Sequence, residues 1–485
     1  MNPTPRILVC FQLLLSLLIP LHTTSASAAA PSSPTRELNV ILLLADDLGW
    51  TGLSCYGSDL YETPNLDQLA KESMRFTDAY SACTVCSPTR ASLMTGMYPA
   101  KLRLTDFIAG QNRPYAKLNI PDWIKGISPH YTTIAEAFKK ENYRTIHIGK
   151  WHLDNRKTPK DQPSGPSAHG FDEAYVKPNG TKGYFVPNQK GEDNAKDNRY
   201  LTDALTNRAV EAIDRNKDKP FFMHFAYHVP HTPIQARQDL TDYFAAKVKK
   251  EGIHRNPIYA AMVASLDQSV GRIRKTLKRH KLENNTVILF TSDNGGLTQR
   301  YGKHDDFTDN LPLRRGKGSA YEGGVRVPLI IHWPGITDPN SICATPVMTI
   351  DFYPTVMEIA GLRGSQSHNL LIDGTSLVPC LKNANHIFDR NLYWHYPHYH
   401  AGGDGPYSAI RSNNHRLIQF HEDNQYELYN LSDDIGETTN LITTNQKTAT
   451  LLKSRLTGWQ NTLNVQMPTP NPNWDPKRAT LVGRR

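Results

Sequence analysis

With 485 residues the chain is long for one compact domain, and its length predicts a large domain with a smaller companion. Lys and Arg number 55 against 46 Asp and Glu, a net charge of +9 that suits an anionic partner, although an ordinary basic surface has the same balance. The basic residues form no concentrated tract and the cysteines and histidines have no zinc-finger spacing, so the excess does not point to nucleic acid.

At the N-terminus, Arg6 precedes the apolar run Ile7 to Leu21 and the small-residue segment Ser25-Ala26-Ser27-Ala28-Ala29-Ala30. This is the layout of a cleavable export signal over residues 1–29, and it predicts a secreted or periplasmic protein. A stable membrane anchor is the rival reading. Gln12 and Pro20 interrupt the run, which falls short of the ~20 apolar residues of a spanning helix. Of six cysteines, Cys10 lies in the signal, leaving Cys55, Cys83, Cys86, Cys343 and Cys380. An odd number in an oxidising compartment suggests that one is chemically special.

Leu38 to Ala45 is a continuous apolar run, as expected of a strand buried on both faces of a parallel sheet, and it ends in Asp46-Asp47. Arg144 to Ile148, Phe221 to Ala226, Thr286 to Thr291 and Val327 to His332 are runs of the same kind. Helical patterns lie between them: Pro64 to Glu72 with Thr63 as cap, Thr132 to Lys140, and Asn256 to Arg279, whose Ile258, Met262, Leu266, Val270, Ile273 and Leu277 form one stripe. The alternation predicts an α/β fold, a large domain with a mostly parallel central sheet flanked by helices. Ligands of such sheets bind beyond the carboxyl ends of the strands. Asp46-Asp47, Lys150 with His152, His228 with His231, and Asp293-Asn294 each follow a predicted strand. Any one could be an ordinary loop residue, but their joint placement predicts a shared site.

After about Asp373 the alternation stops. Trp394 to His400, Ser408 to Phe420 and Tyr426 to Asn430 read as short strands of a small antiparallel sheet, giving a second α+β domain. The boundaries drawn are 36–375 for the large domain and 376–485 for the smaller one, which ends in a Pro- and Asn-rich, loosely held extension beyond Met467.

Cys83-x-x-Cys86 would suggest a redox dithiol, or zinc if a second pair existed, and none does. Neither reading accounts for the following Ser87-Pro88-Thr89-Arg90-Ala91-Ser92-Leu93-Met94-Thr95-Gly96. Pro88 suits the first turn of a helix and Arg90 lies one turn past Cys86, so Cys86 is expected at a helix N-terminus beside a cation. Asp46, Asp47, Asp293 and Asn294 offer only oxygens, the ligand set of Ca²⁺ or Mg²⁺ and not of zinc.

Cys86-Ser87-Pro88-Thr89-Arg90 followed by Leu93-Met94-Thr95-Gly96 resembles the hallmark of type I sulfatases in the alkaline phosphatase superfamily. The resemblance continues through Leu44 to Gly49, Gly149-Lys150-Trp151-His152, His169 to Asp172, Thr291 to Gly296 and Gly316 to Gly324. Thr89 departs mildly from the usual Ser or Ala. The resemblance implies an alkaline phosphatase-like fold, oxidation of Cys86 to formylglycine by a formylglycine-generating enzyme, and a hydrated-aldehyde nucleophile. It also implies Ca²⁺ in preference to Mg²⁺, held by Asp46, Asp47, Asp293, Asn294 and an oxygen of residue 86. Lys150 and Lys317 would hold the sulfate oxygens, Arg90 would orient the nucleophile, His231 would be the acid for the leaving oxygen and His152 the base at residue 86. His228 would either support the residues around the sulfate from behind or contact substrate. Most of Arg314, Arg315, Glu322 and Arg326 are expected to be solvated or in structural ion pairs.

The segment Trp394 to His400 is dense in aromatics and histidines, which suits a packed seam between domains or a sugar platform. On the second reading His395, His398 and His400 contact substrate, and Leu104 to Phe107 and Asp154 to Asn198 supply further walls. The expected substrate is a carbohydrate sulfate, such as a sulfated galactose or hexosamine unit of a polysaccharide. The alternatives are a phosphodiesterase or phosphonate hydrolase of the same superfamily, a non-catalytic protein that binds sulfated glycans, and a Cys83–Cys86 redox protein.

Overall fold

A computed structural model describes residues 37–154, 165–187, 199–298 and 307–482; the expected export signal and much of the stretch from Asp154 to Asn198 lie outside them. The described strands of the main sheet are β1 (Asn39–Ala45), β2 (Met74–Phe76), β3 (Arg144–Gly149), β4 (Glu173–Tyr175), β5 (Phe221–Ala226), β6 (Thr286–Ser292), β7 (Leu329–His332) and β8 (Ser341–Cys343). They run in the order β8-β2-β7-β6-β1-β5-β3-β4.

Every residue of β1 is buried, because the strand lies between β5 and β6 and is covered on both faces. Ile41, Leu43 and Ala45 pack toward helices Leu201–Asn216 and Pro257–Arg279, with Leu205, Ala209, Met262 and Leu266 among the contacts. Val40, Leu42 and Leu44 pack on the other face with Leu93, Met94 and Phe138, from helices Cys86–Thr95 and Ile134–Lys140. The period of two in a strand thus feeds two separate cores, which is why the run reads as unbroken hydrophobicity.

The sheet is parallel except for β7, which runs antiparallel to both β6 and β2. The Val327 to His332 run therefore departs from the parallel reading. Thr291, near the end of β6, pairs with Leu329, at the start of β7. The chain thus leaves β6 and enters β7 at the carboxyl edge of the sheet, and β7 leads away from it.

Helix boundaries follow local chemistry. Thr133 and Glu136 form a capping box, so that helix begins at Ile134. Asn256 caps Pro257–Arg279 by accepting from the N–H groups of Ile258 and Tyr259 at 3.1 Å. Thr63 precedes Pro64–Lys71, but its hydroxyl donates to Asp67 instead of capping.

A separate four-stranded antiparallel sheet follows, β9 (Asn391–Tyr396), β10 (Tyr407–Ser412), β11 (His415–Phe420) and β12 (Gln425–Asn430), in that order. One face, with Trp394, Tyr396, Tyr407 and Ile418, packs on Tyr80, Val85, Ala320 and Val325. The other, with Ile410, Leu417 and Leu428, is covered by Ala449, Leu452 and Leu456 of helix Gln446–Leu463. Buried charges cross the first face: Arg416 pairs with Glu322 at 2.9 Å, and Asp78 pairs with Arg326 at 2.9 Å and Arg411 at 2.7 Å. Glu322 and Arg326 thus belong to the ion-paired seam, as their setting in the sequence suggests. Helix Val378–Lys382, by contrast, packs into the core of the main sheet.

Candidate active site

Four strand ends of the main sheet meet at one edge. Asp46 and Asp47 leave β1, Lys150 and His152 leave β3, His228 and His231 follow β5, and Asp293 and Asn294 follow β6. The turns that aim these side chains are built for close approach. Gly149 has φ +96°, and a Cβ there would lie 1.9 Å from the Ala226 carbonyl oxygen, so only glycine lets the chain turn and send Lys150 into the site. Asp47 and His152 are themselves in the left-handed region, with φ of 64° and 58°. Asp47 is held there by its N–H, which donates to Asp293 Oδ1 at 3.1 Å, and by Tyr259, whose hydroxyl donates to its carbonyl at 2.9 Å.

Cys86 opens helix Cys86–Thr95, with Pro88 in the first turn, and is buried. Its Sγ lies 3.4 Å from Lys150 Nζ and 3.4 Å from Lys317 Nζ, with Asp46 Oδ1 at 3.6 Å and Asp47 Oδ1 at 3.9 Å. Burial pushes the thiol up to about 12, so the unmodified sulfur is a poor nucleophile at neutral pH. Cys83 forms no disulfide with it and packs at the seam with the second sheet. Thr89 makes the local turn rigid: its hydroxyl donates to the Cys83 carbonyl at 3.0 Å and accepts from the Cys83 N–H at 3.1 Å.

The lysines neutralise the two aspartates. Lys150 donates to both Asp46 oxygens at 2.9 and 2.7 Å, and Lys317 binds Asp47 at 2.7 and 2.8 Å. Burial alone would raise both carboxyls, but the Lys150, Lys317, His231 and Arg90 charges hold Asp46 well below the carboxylate range, and Lys317 and His231 lead in lowering Asp47. Lys317 comes from the Gly316–Ala320 loop, whose backbone pairs with Gly296 and Thr84. Arg90 does not reach toward Cys86 by any hydrogen bond the structure shows. Its Nε and Nη2 donate to Asp293 Oδ2 at 2.9 and 2.7 Å and its Nη1 to the Lys150 carbonyl at 2.9 Å, so it braces the carboxylates and the lysine turn.

Asn294 Nδ2 donates to Asp47 Oδ1 at 2.8 Å, which leaves Asn294 Oδ1 buried with no hydrogen-bond partner. A buried amide oxygen without a donor, on a side chain that is bonded to an ionised carboxylate, fits a hard divalent cation and is costly without one. The group of candidate ligands at this point is Asp46, Asp47, Cys86 and His231, all within 4.8 Å of one another. His231 thereby borders the cation position as well as the cavity, with its Nε2 at 3.6 Å from Asp47 Oδ2. Its Nδ1 contacts the Thr232 carbonyl at 2.5 Å.

His152 Nε2 meets the Ile108 carbonyl, so the proton sits on Nε2 and the lone pair on Nδ1, which has no hydrogen-bond partner. Burial, reinforced by Lys150, holds this imidazole well below its usual range and therefore neutral. His228 is likewise neutral, pushed down to about 3 by burial, and is not among the residues that line the cavity. The Tyr184 hydroxyl contacts the backbone carbonyls of both His228 and His231, which fixes the turn that presents His231.

A cavity of about 820 Å³ opens over Cys86, Lys317, His152 and His231. His400 and Phe107 form one wall, in edge contact at 6.1 Å between ring centroids. Of the three histidines in the segment Trp394 to His400, only His400 lies on the cavity. His395 is tied to Ser408 Oγ at 2.7 Å and the Gln466 carbonyl at 3.0 Å, and His398 Nε2 to Thr105 Oγ at 2.8 Å. Strand alternation and the seam tie up those two rings, and neither is among the residues that line the cavity. Pro233, Ile234, Gln235, Ile258 and Leu297 also line the cavity, and the sequence does not mark them as site residues. Ile258 read as core because it continues the helical stripe, yet it sits at the first turn where the helix emerges from the body of the fold.

A sequence profile of the family described as Sulfatase matches residues 38–362, and one described as N-sulphoglucosamine sulphohydrolase, C-terminal, matches residues 316–462. A sulfatase of Formosa agariphila is 33% identical, the similarity covering 93% of each chain. N-acetylgalactosamine-6-sulfatase of Rattus norvegicus is 31% identical over 79% of this chain and 72% of its own. The crystal structure of Ps i-CgsB in complex with k-i-k-neocarrahexaose is similar at a TM-score of 0.72 and 30% identity, covering 90% of this chain and 95% of that one.

Proposed function

We propose, from the premise that the chain belongs to the sulfatase family and is a sulfuric ester hydrolase, that its substrate is a sulfated galactose or hexosamine unit of a polysaccharide. The observation that carries the chemistry is the pair of ammonium groups on Cys86 Sγ at the floor of the cavity. A sulfate ester there meets two fixed cations for its non-bridging oxygens, and these stabilise the charge that builds up as the ester bond breaks. His231, between Asp47 and the cavity, gives a proton to the departing sugar oxygen from its charged form, which burial disfavours and Asp47 favours. His152, neutral and with a free Nδ1 lone pair, takes a proton at residue 86.

The motif Cys86-Ser87-Pro88-Thr89-Arg90 supports conversion of Cys86 to formylglycine by a formylglycine-generating enzyme, and the buried thiol is itself a poor nucleophile. The hydrated aldehyde supplies the nucleophilic oxygen. Asp46, Asp47, Asp293 and Asn294 would hold Ca²⁺, which supplies a positive charge for the nucleophile and the sulfate. The sugar preference draws on two relatives, one named for N-acetylgalactosamine 6-sulfate and one solved with a neocarrahexaose. Residues 36–375 are assigned to catalysis and 376–485 to a smaller domain that walls the pocket through His400, with residues 1–29 removed on export to the periplasm or medium.

The test is desulfation of defined sulfated galactose and N-acetylhexosamine oligosaccharides, followed by mass spectrometry, in parallel with nitrophenyl sulfate and nitrophenyl phosphate esters. Release of sulfate from one sugar class is expected. Preference for phosphate diesters would move the assignment to a phosphodiesterase. An intact thiol at Cys86 after co-expression with the maturation enzyme, together with glycan binding, would make the protein a non-catalytic binder.

A further inference from the structure

The chain beyond the last helix is held against the active-site wall. Gln466 Nε2 donates to the Asp122 carbonyl at 2.7 Å, while the Gln466 carbonyl meets His395 Nε2 at 3.0 Å. Thr469–Pro470 then pairs antiparallel with Leu118–Asn119. Asn471 is buried on an otherwise exposed segment. Its Nδ2 donates to the carbonyls of Pro114 at 3.0 Å and Ala116 at 2.8 Å, and its N–H donates to the carbonyl of Lys117 at 3.1 Å. Farther on, the Asp475 N–H donates to the Tyr115 carbonyl at 3.2 Å and the Arg478 guanidinium lies 3.4 Å from the Tyr115 ring centre.

The loop so gripped is cross-linked in turn to the cavity. Gln111 Oε1 accepts from the Ala401 N–H at 2.7 Å, Arg113 Nη2 donates to the His400 carbonyl at 2.9 Å, and the Leu118 N–H donates to the Tyr399 hydroxyl at 3.1 Å. Gln111 and His400 both line the cavity. At its other end the loop is fixed without the tail: the Ile108 N–H donates to Ser87 Oγ at 3.1 Å and the Ile108 carbonyl meets His152.

We propose that residues 466–478 act as a strap that sets the position of Gln111 and His400, and so of the sugar-binding wall, while leaving the sulfate-cleaving groups untouched. Asn471 is the positioning residue at its centre. A segment near a chain terminus is poorly ordered unless it is tied down, and here three hydrogen bonds from one buried residue, two from its side-chain amide and one from its backbone N–H, secure a loop that has no helix or long strand of its own. The consequence for recognition rests on the sulfatase reading, whereas the strap itself is a property of the fold.

Two variants of the full protein test it: Asn471→Ala, and a chain ending at Val465. In both, hydrogen–deuterium exchange is expected to rise at residues 111–118 and to stay unchanged in helix Cys86–Thr95. With the sulfated oligosaccharide that the intact enzyme turns over, KM is expected to rise about fivefold, the factor that the net contribution of one hydrogen bond gives. kcat, and turnover of nitrophenyl sulfate, are expected to hold. Unchanged exchange at 111–118 in both variants would overturn the strap. Faster exchange with an unchanged KM, or a lowered melting temperature with unchanged KM, would reduce the tail to a structural cover and overturn its part in recognition. An intact enzyme that releases no sulfate from any ester would sink the sulfatase reading and leave the exchange result to decide the strap alone.

Discussion

Lys150 and Lys317 place their ammonium nitrogens at the same 3.4 Å from Cys86 Sγ, and each is bound to a different aspartate, Lys150 to Asp46 and Lys317 to Asp47. The two charges are therefore anchored before substrate arrives, so little reorganisation accompanies the reaction. Replacing either by alanine is expected to lower kcat/KM by about 10²–10³, the usual loss for one preorganised charge donor. The melting temperature should change little or fall, since each variant leaves an aspartate without its partner. Steady-state kinetics with nitrophenyl sulfate measure this, and a loss below tenfold for both variants would remove them from sulfate binding.

His231 acts on the leaving oxygen in the proposed chemistry, so the effect of His231→Gln should depend on the leaving group. A sugar alkoxide needs a proton and nitrophenolate does not. The variant is expected to lose about 10²-fold or more in kcat on a sugar sulfate and much less on nitrophenyl sulfate. Equal losses on both would instead favour a role for His231 at the cation, which it borders through Asp47.

The buried, partnerless Oδ1 of Asn294 gives a test of the metal that does not need activity. Calcium at a hundred times its dissociation constant is expected to stabilise the fold by about 2.7 kcal/mol, read as a rise in melting temperature that chelation reverses. Asn294→Ala and Asp47→Asn should diminish that rise. If magnesium stabilises as well as calcium, the preference for Ca²⁺ fails.

Part of this site was legible from the sequence because several of its groups come soon after a strand, and a parallel sheet brings strand ends to a common edge. Asp46, Lys150, His231 and Asp293 meet for that reason. What stayed hidden depends on how side chains divide between faces. In Trp394 to His400 the sequence shows a cluster of rings, yet the pleat and the seam send His395 to Ser408 and His398 to Thr105, and only His400 to the cavity. The reversal of β7 was equally invisible, because a fully buried antiparallel strand has the same unbroken hydrophobicity as a parallel one. The tail beyond Met467 looked unanchored since its grip comes from Asn471 binding backbone carbonyls, a contact with no sequence period.

His400→Ala follows from that sorting. The ring lies on the cavity against Phe107, is 3% exposed, and is kept neutral at about 3 by burial. It can therefore offer a hydroxyl group a hydrogen bond but no charge. The variant is expected to raise KM for a sulfated oligosaccharide while leaving nitrophenyl sulfate turnover near wild type. An unchanged KM on every oligosaccharide cleaved would place the sugar elsewhere in the cavity.

Glu437 gives a pH dependence away from the catalytic groups. It is buried at the seam, its Oε2 accepts from the Glu322 N–H at 2.7 Å, and its Oε1 is 3.6 Å from Arg416 Nε. Burial, outweighing the attraction of Arg416, pushes its carboxyl from 4.5 up to about 8. The folded protein then binds a proton that the unfolded chain has lost between those two values, so stability falls as pH rises through this window and levels off above it. Arg416 is committed to Glu322 at 2.9 Å and to the Ala320 carbonyl at 2.6 Å, which is why it does not hold Glu437 ionised. Glu437→Gln keeps an oxygen for the Glu322 N–H and cannot ionise. Its melting temperature is expected to match wild type near pH 5 and exceed it at pH 8.5, with the pH slope between them flattened. Parallel curves for the two proteins across this range would show that the seam compensates the charge, and would rule out Glu437 as the source of the dependence.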